Sequence, residues 1–155
     1  MRRVTGLAVV ALLVVGFAAF CGMASAERLV GSDHGGRPLT AMLTGAAEAP
    51  GPGNPDGNGW ATITVNVGQS EVCWEINISG ITLPATAAHI HVAPVGVPSP
   101  VVVPLSPPDA SGFSGGCRVM AQDLVKAILQ NPAAYYVNGH NTDFPGGAVR
   151  GQLSK

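Results

Sequence analysis

Hydrophobic and polar residues alternate along two neighbouring stretches of this chain, residues 60–67 and 72–79. In the second stretch every even-numbered position from Val72 to Ile78 is apolar, and one of these positions is Trp74. A period of two residues sends successive side chains to opposite faces of a strand. The pattern therefore predicts two half-buried β-strands, with Trp74 packed in the core.

Five more short apolar segments lie between clusters of glycine and proline, of which the chain has 21 and 13. These segments are residues 39–45, 88–93, 101–105, 135–140 and 148–153. Helical spacing occurs over residues 123–130, and Asn131-Pro132 would end that helix. About seven strands and one short helix predict an all-β fold, an antiparallel β-sandwich or barrel.

A glycine-rich segment, residues 111–116, precedes Cys117. Such segments can cradle phosphate where a helix begins immediately after them, but no helix is predicted at that point. We therefore expect a loop between strands here.

The first 26 residues have the pattern of a secretory signal peptide. Arg2 and Arg3 precede a long apolar stretch, and small residues end at Ala26, where we predict cleavage. Residues 27–38 mix glycine, charge and proline, and we expect a flexible leader before a domain at residues 39–155. An uncleaved membrane anchor is the alternative to a cleaved signal peptide. If the signal peptide is cleaved, we expect no association of the mature protein with a membrane.

The charge of the chain excludes one class of partner. The formal net charge is −1, from 8 basic and 9 acidic residues, and no run of lysine or arginine occurs. Removal of Arg2 and Arg3 with the signal peptide would leave 6 basic and 9 acidic residues, a formal net charge of 6 − 9 = −3. A nucleic-acid-binding protein needs a basic footprint, so nucleic acid is not an expected partner.

Only Cys73 and Cys117 would remain after cleavage. Thiols of exported proteins pair in oxidising compartments, so we expect a Cys73–Cys117 disulfide. A pair of thiolate metal ligands is the alternative, but the CxxC spacing typical of such sites is absent.

Four motifs follow one another in the order expected for a known family. They are Leu43-Thr44-Gly45 with Glu48 and Pro50, Ala88-His89-Ile90-His91, Tyr136-Val137-Asn138 with His140, and PGGAVRGQL at residues 145–153. Together they resemble the CHRD domain, first described in the extracellular morphogen antagonist chordin and also present in exported microbial proteins. The resemblance spans residues 39–153 and implies an immunoglobulin-like β-sandwich.

The pair Asn138-Gly139 has two interpretations. Taken locally, it is a strong signal for a two-residue hairpin turn. The resemblance instead places it within a strand, and we follow the resemblance, although glycine weakens a strand or marks a bulge.

Three histidines are candidate metal ligands. His89 and His91 are two residues apart on a predicted strand and so leave the same face, and His140 could supply a third imidazole. Three neutral imidazoles suit zinc or copper. In the alternative interpretation, one histidine bonds a backbone carbonyl under a loop and another lies at the surface.

Glu48 and Arg150 each lie in a motif of small and apolar residues, where an unpaired charge is costly to bury. A structural ion pair between them is one prediction. The alternative is that both side chains project into solvent, where a pair contributes about 0 to 1 kcal/mol.

Two functions remain open. The first is an exported, non-enzymatic CHRD-domain module that binds an unidentified protein or cell-envelope ligand and needs no cofactor. It rests on the resemblance and on the absence of nucleophile-elbow, P-loop, dinucleotide and HExxH motifs from the sequence. The second is a small copper- or zinc-binding metalloprotein that uses His89, His91 and His140.

Overall fold

The computed structural model describes residues 35–155. The predicted signal peptide, residues 1–26, and most of the predicted leader lie outside the described residues. The first strand begins at Arg37, two residues before the predicted start of the domain.

One antiparallel sheet of eight strands forms the described part of the protein, with strand order β5-β4-β7-β8-β1-β2-β3-β6. The strands are β1 (Arg37–Thr44), β2 (Asn58–Asn66), β3 (Glu71–Ser79), β4 (Ala87–Val92), β5 (Val101–Leu105), β6 (Phe113–Val119), β7 (Tyr135–His140) and β8 (Val149–Gln152). One α-helix, α1 (Gln122–Gln130), and two 3₁₀ turns, Gly45–Ala47 and Pro132–Ala134, complete the elements. The prediction of an all-β fold with one short helix is confirmed.

The sheet curls until its two end strands, β5 and β6, approach each other. The hydroxyl of Ser114 on β6 donates to the carbonyl of Ser106, which follows β5, at 2.6 Å. Nearby, the Ala85 amide donates to the Pro108 carbonyl at 2.9 Å. The result is a nearly closed barrel, intermediate between a sandwich and a continuous cylinder.

Alternation along the strands places the apolar side chains inside the barrel. Fully buried core residues come from strands on all sides, including Leu43, Ile63, Ile76, Ile90 and Val137. Helix α1 adds Val125 and Ile128 to this core. Within residues 35–155, no helix has the length and hydrophobicity required to cross a lipid bilayer.

The prediction of a loop over residues 111–116 was wrong, because most of that segment belongs to strand β6. Gly116 lies opposite Trp74 of β3, and a Cβ atom on Gly116 would lie 2.7 Å from the indole ring. Glycine is needed here because the buried Trp74 side chain occupies the space above the strand. Gly116, one of the three glycines that indicated a loop, is thus a packing feature of a strand.

The Trp74 prediction is confirmed: its side chain is 3% exposed, and its indole N–H donates to the Ser114 hydroxyl at 3.0 Å. The strand interpretation of Asn138-Gly139 is also confirmed. Gly139 faces the core, where a Cβ would lie 2.8 Å from the side chain of Ile78.

The predicted disulfide joins Cys73 of β3 to Cys117 of β6. The two residues lie directly opposite each other in the antiparallel ladder, with their Cα atoms 3.9 Å apart. The bond therefore ties an end strand of the sheet covalently to its neighbour.

Candidate histidine site

The candidate site lies on the outer face of strands β4, β7 and β8. Tyr136, Asn138 and His140 occupy alternate positions of β7, on the face opposite the core residue Val137. In the ladder, His89 of β4 lies opposite Asn138, and His91 lies opposite Tyr136. Strand pairing therefore assembles one polar surface from residues more than 40 positions apart in the sequence.

The β4–β5 connection, residues 93–100, covers part of this surface, and we call it the cover loop. Its carbonyl groups accept hydrogen bonds from three side chains on the outer face. These bonds are Gln152 to Ala93, Arg150 to Pro94 and Val97, and His91 to Ser99. The loop is held in place by polar side chains of the sheet, although it has no regular secondary structure of its own.

His89 and His140 are close neighbours. The Nδ1 atom of His89 lies 3.1 Å from the Nε2 atom of His140, and the ring centroids are 5.0 Å apart. The Nδ1 atom of His140 lies 3.0 Å from the Pro145 carbonyl oxygen. A carbonyl only accepts, so His140 donates from Nδ1 and presents a lone pair at Nε2.

Both rings are held in the neutral form. Burial, followed by the proximity of His140 and His91, lowers the pKa of His89 from 6.5 to about 4. Burial also lowers the pKa of His140, and the Pro145 carbonyl opposes this shift. Neutral imidazole is the form that binds metal ions.

His91 is the most restrained of the three histidines. Its Nδ1 atom lies 2.7 Å from the Ser99 carbonyl, and its Nε2 atom lies 3.1 Å from Oδ1 of Asn138. Its ring stacks on Tyr136 with a centroid separation of 4.7 Å and an interplanar angle of 2°. The contact with Ser99 is the carbonyl bond under a loop that the alternative interpretation anticipated.

The structure brings the three predicted histidines together. The ligand-capable atoms of His89, His91 and His140 all lie within 4.8 Å of one another. His91 is buried, whereas the other two are partly accessible to solvent. The arrangement meets the first geometric requirement for shared binding of one ion.

Arg150 is 1% exposed, so the alternative prediction, that its side chain projects into solvent, was wrong. Its guanidinium donates to the carbonyls of Val97 at 3.0 Å and Pro94 at 2.9 Å. It also lies over the ring of Tyr136, 3.4 Å from the centroid. Tyr136 therefore has contacts with both His91 and Arg150.

Glu48 is partly buried beside this cluster. Burial raises its pKa from 4.5 to about 7, while the Ala49 amide, the charge of Arg150 and the Asn138 side chain act in the opposite direction. One carboxyl oxygen, Oε1, is buried without a hydrogen-bond partner. Glu48 and Arg150 thus interact electrostatically, and a direct ion pair between them stays a prediction.

A cleft of about 280 Å³ opens beside Glu48. Its walls are residues 48–52 and 143–147, the second of which includes the Pro145 carbonyl that orients His140. The cleft therefore shares a wall segment with the histidine site.

Sequence reasoning missed Tyr136, Asn138 and the cover loop as parts of this site. Tyr136 and Asn138 could have been found, since they lie four and two positions before His140 and so share its face of a strand. The cover loop could not, because its contribution is made by backbone carbonyls and carries no side-chain signature.

Glu71 lies close to Cys73 and Cys117 and forms a second group of ligand-type residues. Because the two sulfur atoms are bonded to each other, they are not thiolates. The thiolate-ligand alternative is therefore wrong for the oxidised protein.

A row of exposed residues crosses the outer face of four other strands. Strand register places Met42 of β1 opposite Trp60 of β2, Trp60 opposite Asn77 of β3, and Asn77 opposite Phe113 of β6. Met42 is 77% exposed, Trp60 43% and Phe113 40%. We call Met42, Trp60 and Phe113 the apolar row.

These features define a small, disulfide-bonded β-barrel module with a histidine cluster on one outer face and an apolar row on another. The CHRD domain family model matches residues 39–153, so the chain belongs to the CHRD domain family. Searches of curated proteins and of solved structures gave no significant match.

Proposed function

We propose that the protein is an exported, non-enzymatic CHRD-domain module that binds a protein or cell-envelope ligand through the apolar row. The observation that carries this proposal is the alignment of Met42, Trp60 and Phe113 on strands β1, β2 and β6, with Asn77 of β3 between the two aromatic residues. Aromatic residues and methionine are enriched at protein interfaces, where they contribute much of the binding energy. Their exposure here, side by side on one face of the sheet, supports a recognition surface.

The disulfide supports export. Such bonds persist in oxidising compartments and are rare where glutathione keeps thiols reduced. The Cys73–Cys117 bond fits an oxidising environment, and the signal-like sequence of residues 1–26 supplies a route to it.

Export is tested by expressing the full-length chain in a host with a secretory pathway. We expect a mature protein in the medium or envelope fraction that begins at Glu27, identified by mass spectrometry. A chain that keeps residues 1–26 and sediments with membranes would support the anchor alternative. A full-length chain retained in the cytoplasm would contradict export.

Binding is tested with the exported protein immobilised and exposed to native medium and to solubilised envelope fractions. The double variant Trp60→Ser/Phe113→Ser is compared with Val95→Ser, whose side chain is 75% exposed but lies away from the row, in the cover loop. We expect the wild type and Val95→Ser to retain the same ligand, and the double variant to lose it. Equal retention by all three proteins would exclude the apolar row as the binding surface.

A further inference from the structure

We propose that His89, His140 and His91 bind one late first-row transition-metal ion, zinc or copper, on the outer face of β4 and β7. The ligand atoms are Nδ1 of His89, Nε2 of His140 and Nε2 of His91. This site is separate from the apolar row, so the inference goes beyond the proposed function, and either can fail without the other.

The separation of the first two nitrogens is the one that coordination requires. Imidazole nitrogens bind zinc at about 2.0 to 2.1 Å. Two such nitrogens that subtend about 90° to 110° at one ion lie about 2.9 to 3.4 Å apart. The distance between Nδ1 of His89 and Nε2 of His140 is 3.1 Å. Without metal this contact is a hydrogen bond in which Nδ1 of His89 donates, so the His89 ring adopts the Nε2–H tautomer when Nδ1 binds the ion.

Backbone carbonyls orient two of the rings for this role. Nδ1 of His140 donates to the Pro145 carbonyl, and Nδ1 of His91 donates to the Ser99 carbonyl. Metal-binding histidines usually donate their second ring N–H to such an acceptor, which fixes the tautomer and the ring orientation. In His140 the Nε2 atom is left to bind the ion. In a neutral His91 ring Nε2 has a lone pair when the Asn138 amide is turned so that its Nδ2 atom, not Oδ1, faces it.

His91 supplies the third ligand nitrogen by giving up its contact with Asn138. At a tetrahedral angle two ligand nitrogens lie about 3.4 Å apart, whereas the ligand atoms of the three histidines lie within 4.8 Å of one another. His91 must therefore approach the ion by up to about 1.4 Å. We expect Nε2 of His91 to leave the Asn138 amide as it approaches the ion.

The ligand set limits the choice of ion. Three neutral imidazoles suit zinc and copper, whereas calcium and magnesium require oxygen ligands. His89 and His140 are partly accessible to solvent, so water can occupy a fourth position. Zinc and copper therefore form the two arms of the test.

The test uses the full-length chain, expressed in an exporting host, purified without chelator, stripped of metal and titrated calorimetrically with Zn²⁺ or Cu²⁺. The double variant is His89→Ala/His140→Ala. The matched control is His34→Ala, which removes the one other histidine of the sequence. We expect one equivalent of at least one of the two ions to bind to the wild type and to His34→Ala, with affinity at least 100-fold lower in the double variant.

A wild type that binds neither ion at micromolar concentration would overturn the proposal, as would equal binding by the double variant. If the double variant fails to fold, electron paramagnetic resonance of the copper-loaded wild type shows whether the three histidines bind the ion. Hyperfine coupling to three imidazole nitrogens is expected. A spectrum with no imidazole coupling would overturn the site.

Discussion

The charges of Arg150 and Glu48 are stabilised unequally. The guanidinium of Arg150 has two carbonyl acceptors and the face of Tyr136, and such contacts offset the loss of hydration. Glu48 is near this cation, yet its pKa is raised, so burial outweighs the attraction between the two charges. Replacement of Glu48 by a neutral isostere should therefore remove an unfavourable charge.

We predict that Glu48→Gln stabilises the protein above neutral pH. In the folded protein the pKa of Glu48 is about 7, against 4.5 ordinarily, so the native state binds more protons between these values. Stability contributed by the protonated carboxyl is fully present below pH 4.5 and is lost as pH rises through 7. The glutamine variant does not undergo this loss.

Denaturant unfolding at a series of pH values measures this difference. At pH 8 we expect Glu48→Gln to be more stable than the wild type by about 1 to 2 kcal/mol, a figure reduced for solvent screening of a partly exposed group. Glu75→Gln controls for the loss of one negative charge elsewhere in the sheet. Parallel stability curves for the wild type and Glu48→Gln would contradict the assignment.

At the scale of single elements, strand β6 depends on the absence of a side chain at Gly116. We predict that Gly116→Ala destabilises the protein by about 1 to 3 kcal/mol, because the new methyl group must displace the buried ring of Trp74. Thermal unfolding followed by tryptophan fluorescence measures both the stability and the environment of that ring.

Gly146→Ala is the matched control for this substitution. Gly146 has open space around the Cβ position and does not have a positive φ angle. We expect its stability to remain within about 1 kcal/mol of the wild type. If the two variants unfold at the same temperature, the close packing of Trp74 on Gly116 does not constrain the strand.

The sequence predicted the elements whose pattern is set by burial on one face. The even-numbered positions of β3 are apolar because they line the barrel interior, so both the strand and the burial of Trp74 could be predicted. Strand β6 could not, since its glycines match a side chain on another strand. Their pairing becomes visible only when β3 and β6 are adjacent.

The histidine site could likewise be predicted only in part. The two-residue spacing of His89 and His91 placed both on one face, and His140 was named as a third imidazole without any signal for its position relative to them. The proximity of His89 to His140 depends on β4 pairing with β7, across 51 residues of sequence. The carbonyls that orient His91 and His140 come from loops, whose course has no periodic signal.

For the whole molecule, the disulfide is the one covalent constraint between distant parts of the described chain. We predict that Cys73→Ala/Cys117→Ala lowers the free energy of unfolding by about 4 kcal/mol, since the bond closes a loop with a sequence separation of 44. Urea unfolding of the exported variant and wild type measures the change.

The denaturant m-values from the same unfolding experiment provide a check. A denatured state without the cross-link is more expanded, so the denaturant m-value should increase in the variant. Wild-type protein unfolded in the presence of reductant should match the variant. A loss below about 1 kcal/mol would show that the pairing of β3 with β6 makes the bond redundant.

The ends of the described chain lie side by side, since Thr40 forms an antiparallel bridge with Ser154. A pulling force on the two ends would therefore act at one end of this antiparallel pair and open its hydrogen bonds one at a time, as a zipper opens. Extension would then stop short of the full contour length. The force cannot extend the loop that the Cys73–Cys117 disulfide closes. With a sequence separation of 44, this loop reduces the maximum extension of the chain by about 150 Å.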